Sequence, residues 1–155
     1  MLQPGTPFPD FSLANQDGKL IHLSDFAGSW LVIYFYPKDD TPGCTIQSQT
    51  FTATKADFDA AGVKVVGVSA DDVNSHKSFC NKFSFSIDLL ADPEEQLIKA
   101  CGLSQTEWQG NMYWARTSFI VGPDGVTRKV YEKADPKASE SGLLDEIEAI
   151  KSLQP

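Results

Sequence analysis

The chain has 155 residues, 41% of them hydrophobic and 22% charged, with a formal net charge of −8. This length suits a single domain, 1–155, with a proper core. The acidic balance excludes a general nucleic-acid binder, which needs a basic face to displace counterions, and disfavours anionic membrane surfaces.

The opening MLQPGTPFPDF lacks the basic and apolar regions of a secretory signal, and no apolar run approaches the ~18 residues of a spanning helix. The chain therefore reads as soluble and cytosolic. Phe11-Ser12-Leu13 and Leu20-Ile21-His22-Leu23 flank an Asp17-Gly18 turn, which predicts a β-hairpin. Trp30 to Tyr36 is a continuous apolar, β-rich run that suits a central strand buried on both faces. Residues 43 to 61 place Cys44, Phe51 and Phe58 seven apart on one helical stripe. Val63 to Ser69 is a second buried strand. Asp72 caps a helix carrying Val73, His76, Phe79, Cys80 and Phe83 on its inner positions. Pro93 to Ala100 is a further helix, ended by Gly102. Thr117 to Val121 turns through Gly122-Pro123-Asp124-Gly125 into Val126 to Tyr131, a second hairpin. Leu143, Leu144, Ile147, Ile150 and Leu153 mark an amphipathic C-terminal helix. Helices alternate with strands before an antiparallel pair closes the sheet, so the class is α/β with a mixed central sheet. There is no repeat, linker or low-complexity tract.

The chemistry concentrates in Tyr36-Pro37-Lys38-Asp39-Asp40-Thr41-Pro42-Gly43-Cys44-Thr45, between a buried strand and a helix. Pro42 and Gly43 suit a helix start. Cys44 then lies in the first turn, where free N–H groups and the positive end of the dipole favour a thiolate. From position alone, a buried small hydrophobe and a reactive thiolate explain Cys44 equally. The acidic pair Asp39-Asp40 reads as a solvated turn. The odd number of cysteines (Cys44, Cys80, Cys101) excludes a complete intrachain disulfide framework. His22 and His76 lie far from any cysteine pair with finger-like spacing, so no metal site is expected. A thiol–disulfide oxidoreductase would want a cysteine at position 47, which is Gln. A cysteine phosphatase would want an arginine at position 50, which is Thr.

Pro37, Thr41 and Cys44 form a P-x-x-x-T-x-x-C pattern that resembles the active-site motif of the peroxiredoxins. The wider stretch YFYPKDDTPGCT is similar to the bacterioferritin comigratory protein subfamily, also called the Q type. Likeness extends over nearly the whole chain, through VGVS, LLADP and RTSF. The resemblance implies a thioredoxin-like fold with an N-terminal hairpin extension, thiol peroxidase activity on hydrogen peroxide and organic hydroperoxides, and no metal or other cofactor. It implies that Cys44 is the peroxidatic cysteine, that Thr41 offers its hydroxyl to thiolate and peroxide, and that Pro37 shields the thiolate. Arg116, which otherwise reads as a strand-end surface charge, becomes the arginine beside the thiolate. Gly43 offers a backbone N–H, and Gln47, one turn on, is placed to bond Arg116. Trp108, Met112, Tyr113 and Trp114 read equally as a packed loop or as an apolar collar admitting organic hydroperoxides, with Trp114 assigned to the substrate side.

Many Q-type members carry a resolving cysteine five residues after the peroxidatic one; here that position is Gln49. The remaining parallel is to the minority with the second thiol in the following helix, which assigns resolution to Cys80 and leaves Cys101 as core filler. The expected reductant is thioredoxin or a glutaredoxin-like dithiol, and the expected state a monomer. The alternatives are a one-cysteine peroxidase, or a sensor or holdase relaying oxidation to a partner.

Overall fold

The computed structural model describes residues 1–132 and 140–153. An antiparallel hairpin of β1 (Ser12–Ala14) and β2 (Leu20–His22) opens the chain, and a 3-10 turn at Leu23–Phe26 leads to β3 (Trp30–Phe35). There follow α1 (Pro42–Ala53), α2 (Lys55–Ala60), β4 (Val63–Ser69), α3 (Val73–Phe83), β5 (Asp88–Ala91) and α4 (Gln96–Ala100). A hairpin of β6 (Gln105–Trp108) and β7 (Asn111–Trp114), the pair β8 (Thr117–Val121) and β9 (Thr127–Tyr131), and α5 (Glu140–Leu153) complete it. The main sheet has the order β5-β4-β3-β8-β9. Strands β3, β4 and β5 are mutually parallel, and β8 and β9 pair antiparallel, so the sheet is mixed as the sequence pattern predicts.

Strand β3 explains why the sheet is covered on both faces. All six of its residues are buried, and alternate side chains point to opposite sides. Leu31, Ile33 and Phe35 join Phe8, Phe11, Ile21, Val66, Val68, Leu97, Ile98 and Phe119 in one core. Val32, Tyr34 and Tyr36 join Cys44, Phe51, Phe58, Phe79, Cys80, Ile120 and Ile147 in the other. The two cysteines on α1 and α3 thus share one face of the sheet, while Cys101 belongs to the opposite core.

Three elements differ from expectation. The helix over 43–61 is two helices, broken at Thr54, whose φ of −106° and ψ of 7° leave the helical region. The Thr50 and Thr54 hydroxyls donate to the carbonyls of Ile46 and Thr50 one turn earlier, and such back-bonding bends helices. Helix α4 begins at Gln96 rather than Pro93, because the Asp92 carboxylate accepts the N–H groups of Gln96 and Ile98 and fixes its first turn. The segment before Arg116 is a hairpin, turned by Gln109 at φ 50° and Gly110 at φ 80°. In α5 Ile147 is fully buried and Leu143 and Ile150 pack beside it; the side chains of Leu144 and Leu153 lie outside the described residues.

Gly67 is a steric requirement of the sheet. It pairs with Tyr34 and Leu89, and a Cβ there would lie 2.7 Å from Tyr34 Cζ and 2.8 Å from Leu89 Cδ2. The tyrosine ring thereby lies over β4, stacks on Phe51 at 4.7 Å and bonds Ser48 Oγ at 2.9 Å, which seats α1. Gly67→Ala is expected to destabilise the protein by about 1–3 kcal/mol through overpacking, read by denaturant unfolding.

Candidate active site

Strand β3 delivers the chain into the loop Pro37–Thr41 at the carboxyl end of the parallel strands. This is the edge of an α/β sheet where loops converge and sites are built. Asp40 takes φ of 57°, a left-handed conformation that Asp tolerates better than most residues. Thr41 is extended (φ −101°, ψ 153°), as the residue before a proline must be, and Pro42 opens α1. Cys44 is consequently the third helical residue. Thr45 N–H makes the first helical bond to Thr41 O at 2.8 Å, which leaves the N–H groups of Gly43 and Cys44 outside the helical ladder.

The Cys44 side chain is fully buried. Arg116, half-buried on the short link between β7 and β8, divides its guanidinium between two acceptors. Nη2 donates to Cys44 Sγ at 3.4 Å, and Nη1 donates to Gln47 Oε1 at 2.7 Å. Gln47 is itself buried, one turn beyond Cys44, so the amide fixes the plane of the guanidinium and presents a positive charge to the sulfur. Arg116 thus lies beside the sulfur rather than at the surface, where its position in the sequence alone would put it.

A cleft of about 420 Å³ opens beside this pair, lined by Pro37, Thr41, Pro42, Gly43, Thr106, Trp108, Tyr113 and Arg116. Trp108 stands exposed at 63% on the hairpin tip. Trp114 faces elsewhere: its indole N–H donates to Glu95, and it borders a separate hollow with Met112, Gln105 and Asp71. The cleft's aromatic wall is Trp108 and Tyr113. The Thr41 hydroxyl donates to Lys38 O at 2.8 Å, so its oxygen faces a substrate as an acceptor. Thr106 was not singled out by the sequence. Once a Gln109-Gly110 turn is recognised, alternation in Gln105–Trp108 would place it opposite Tyr113, as observed.

The acidic pair is not a solvated turn. Asp40 is exposed and pairs with Lys82 at 2.9 Å, but Asp39 is buried and accepts from Tyr36 OH and Ser75 Oγ, with His76 Nδ1 at 2.6 Å. Burial and the Asp39 carboxylate push the Tyr36 hydroxyl well above its ordinary range. All three cysteines are unbridged and buried. Burial first, then the charges of Asp39, Asp17 and Asp88, push the Cys80 thiol up to about 12, and burial with Asp92 does the same to Cys101. Both are therefore protonated, weakly nucleophilic thiols in this conformation. Among the described residues no cluster of His, Cys, Asp or Glu is arranged to hold a metal ion, and no helix is long and apolar enough to cross a membrane.

A first-turn cysteine against a guanidinium, on a mixed sheet with an N-terminal hairpin, defines a thiol-based redox site. The AhpC/TSA family model matches residues 4–130. Peroxiredoxin Bcp of Xanthomonas campestris pv. campestris is 37% identical over 146 residues, covering 90% of this chain and 89% of the relative. The bacterioferritin comigratory protein of Xanthomonas campestris, solved in trapped-intermediate and ligand complexes that bear on its alkyl peroxide reduction, superposes with a TM-score of 0.86 at 33% identity over 95% of this chain and 98% of that one. Two cysteine-to-serine variants of Xanthomonas campestris Peroxiredoxin Q superpose with TM-scores of 0.85 at 35% identity, over 96% of this chain and 97% or 96% of theirs. The chain belongs to the AhpC/TSA family and, within it, to the peroxiredoxins of the Bcp and Q type. It has their thioredoxin-like fold and is a thiol peroxidase acting on peroxide substrates.

Arg116→Ala is expected to lower the second-order rate of thiol oxidation by peroxide roughly 10²–10³-fold. Arg116→Lys should recover only part, because a single ammonium cannot reach both Cys44 and Gln47. Gln47→Ala should cost less, roughly tenfold, by unfixing the guanidinium. Stopped-flow oxidation of the reduced protein reads all three.

Proposed function

We propose that the protein, as one domain and as a monomer, reduces hydrogen peroxide and organic hydroperoxides at Cys44, and that Cys80 resolves the oxidised cysteine. The observation that carries this reading is the contact of Arg116 Nη2 with Cys44 Sγ at 3.4 Å. A guanidinium there favours the thiolate and can hold a peroxide oxygen.

In the first step the Cys44 thiolate attacks one peroxide oxygen in line with the O–O bond. The S–O bond forms, the O–O bond breaks, and the leaving alkoxide or hydroxide takes a proton to depart as alcohol or water. Arg116 and the free N–H groups of Gly43 and Cys44 stabilise the charge that grows on the oxygens. Thr41, whose own proton is given to Lys38 O, accepts the peroxide's O–H and so orients it. Pro37 walls the cleft against bulk water, and Trp108 and Tyr113 offer an organic substituent an apolar surface. The alkyl peroxide reduction of the Xanthomonas campestris relative supports this substrate class.

The product is a sulfenic acid. Cys80 then attacks the Cys44 sulfur, water leaves, and an intramolecular disulfide remains for thioredoxin or a similar dithiol to reduce. Two observations support Cys80 over Cys101. Cys80 shares the core of Cys44, whereas Cys101 lies across the sheet. The two serine variants of Xanthomonas campestris Peroxiredoxin Q alter cysteines 36 residues apart, the separation of Cys44 and Cys80.

Closure of this bridge requires motion. Helices α1 and α3 both start at the carboxyl end of the sheet, with Cys44 third in one and Cys80 eighth in the other. Five residues at 1.5 Å rise and an interaxial spacing of 8–10 Å give a Cα separation of roughly 11 Å or more, against about 7 Å for a disulfide. The first turn of α1 and part of α3 therefore unwind on oxidation.

Cys44→Ser is expected to abolish peroxide turnover in a thioredoxin-coupled assay, and Cys80→Ser to abolish thioredoxin-supported cycling while sparing the first oxidation. Cys101→Ser should cycle normally. Non-reducing peptide mapping after one equivalent of peroxide should recover Cys44–Cys80. A Cys44–Cys101 bridge or a persistent sulfenate would overturn the assignment of Cys80, and turnover by Cys44→Ser would overturn the whole reading.

A further inference from the structure

The loop that leads into α1 is fastened to the helix that carries Cys80, and the fastening is a buried, hydrogen-bonded Asp–His pair that the peroxide chemistry does not use. Asp39 lies in that loop. His76 lies on the inner face of α3, one turn before Cys80. Asp39 Oδ2 is 2.6 Å from His76 Nδ1, and the two side chains are 4% and 0% exposed. The other partners are all provided within the fold. Asp39 Oδ1 accepts from Tyr36 OH at 2.6 Å, Oδ2 accepts from Ser75 Oγ at 2.8 Å, and the Asp39 N–H donates to Asp71 Oδ2 at 2.8 Å. Asp71 is held in turn by Ser69 Oγ at 2.7 Å. On the far side of the ring, His76 Nε2 lies 3.0 Å from Leu90 O. A carbonyl only accepts, so Nε2 carries a proton there. A second proton lies between Nδ1 and Oδ2, since two lone pairs would not approach to that distance. At the surface, Asp40 and Lys82 join the same loop and helix a second time, at 2.9 Å.

We propose that Asp39 and His76 are positioning residues that latch the Cys44 loop to α3, so that release of this pair sets how fast Cys80 becomes available. The inference rests on the reading of Cys80 as the resolving thiol. Pulling one partner out of a buried hydrogen-bonded pair leaves the other's polar atoms unsatisfied in the core, so loop and helix separate together or not at all. Intrinsic propensity does little to keep α3 wound, since Asn74, Ser75, Ser78 and Asn81 are poor helix formers; the helix is held by the Asp72 cap, by the packing of Phe79 and Cys80 and by this pair. Asp39 adds a second effect, because its charge opposes ionisation of Cys80 while the helix is closed. A closed latch therefore gives the peroxide step an ordered pocket and delays resolution. Delay lets the Cys44 sulfenate attack a second peroxide, forming a new S–O bond, breaking O–O and releasing alcohol, to give the sulfinic acid.

The test compares the parent with His76→Gln and Asp39→Asn in the full-length reduced protein. Pulse alkylation of Cys80 by iodoacetamide, followed by peptide mass spectrometry, reads helix opening without any peroxide. Both variants should label at least about tenfold faster than the parent. Stopped-flow oxidation should show opposite signs for the two steps: slower sulfenate formation and faster disulfide formation, with more peroxide needed to reach sulfinic acid. Lys82→Gln and Ser75→Ala, which do not open the core, should move the same readouts by a few-fold and keep the question decidable should the stronger variants fail to fold. Ile98→Val, in the opposite core, should change neither step. Parental labelling rates in the latch variants, or both steps moving in the same direction, would overturn the proposal. A parent that oxidises at Cys44 yet never forms the Cys44–Cys80 bridge would instead overturn the reading of Cys80, and the labelling rates would still decide whether the pair holds α3 closed.

Discussion

The site depends on one constraint: a sulfur with no exposure to solvent is held against a guanidinium whose other arm is tied down. Cys44 has lost its hydration entirely, so only fixed donors can stabilise charge on it. Arg116 supplies one of these, and Gln47 removes its freedom to point elsewhere. Each of the three residues is set by backbone features around it. Thr41 and Pro42 fix where α1 begins, Gln47 follows Cys44 by less than a turn, and Ala115 N–H binds Ser104 O at 2.8 Å, which anchors the link that carries Arg116. Donors held in place before the reaction need no reorganisation as the O–O bond breaks, and this is where the site gains its rate.

The same architecture places the proposed resolving thiol on a different helix from Cys44. Cys44 and Cys80 contribute to one core, yet one begins its helix and the other lies two turns into its own. Burial holds Cys80 protonated, so it is a poor nucleophile in this conformation. The proposed two-cysteine cycle needs this separation. A thiol that bridged too readily would dismantle the peroxide pocket, and one that never opened would leave the sulfenic acid to be oxidised further. The buried Asp39–His76 contact lies between these requirements, touching the loop before Cys44 and the helix of Cys80 at once.

Much of this was legible in the residues. Apolar continuity in Trp30–Tyr36 and Val63–Ser69 placed the central strands, and the Asp17-Gly18 turn placed the first hairpin. Thr41-Pro42-Gly43-Cys44 announced a helix start with a cysteine in its first turn. Other features were hidden for physical reasons. Thr50 and Thr54 read as neutral helix residues until their hydroxyls are seen to bond backward and break the helix. Asp39 reads as a solvated turn residue because its partners, Ser75 and His76, come from a helix some 36 residues on. Trp114 belongs by sequence to the same aromatic cluster as Trp108, but neighbours along a strand face opposite ways with period two only when the hairpin register is known, and Glu95 draws its indole away from the cleft.

The central claim is that Cys44 is oxidised in the packed conformation and that its proposed resolution by Cys80 requires α1 and α3 to unwind. Hydrogen exchange over residues 43–50 and 73–83, measured on the fully reduced protein and on the disulfide form, tests it most directly. The account predicts strong protection of both segments when reduced and its loss in both when bridged, with the core strands β3 and β4 unchanged. Equal protection in the two forms would contradict it.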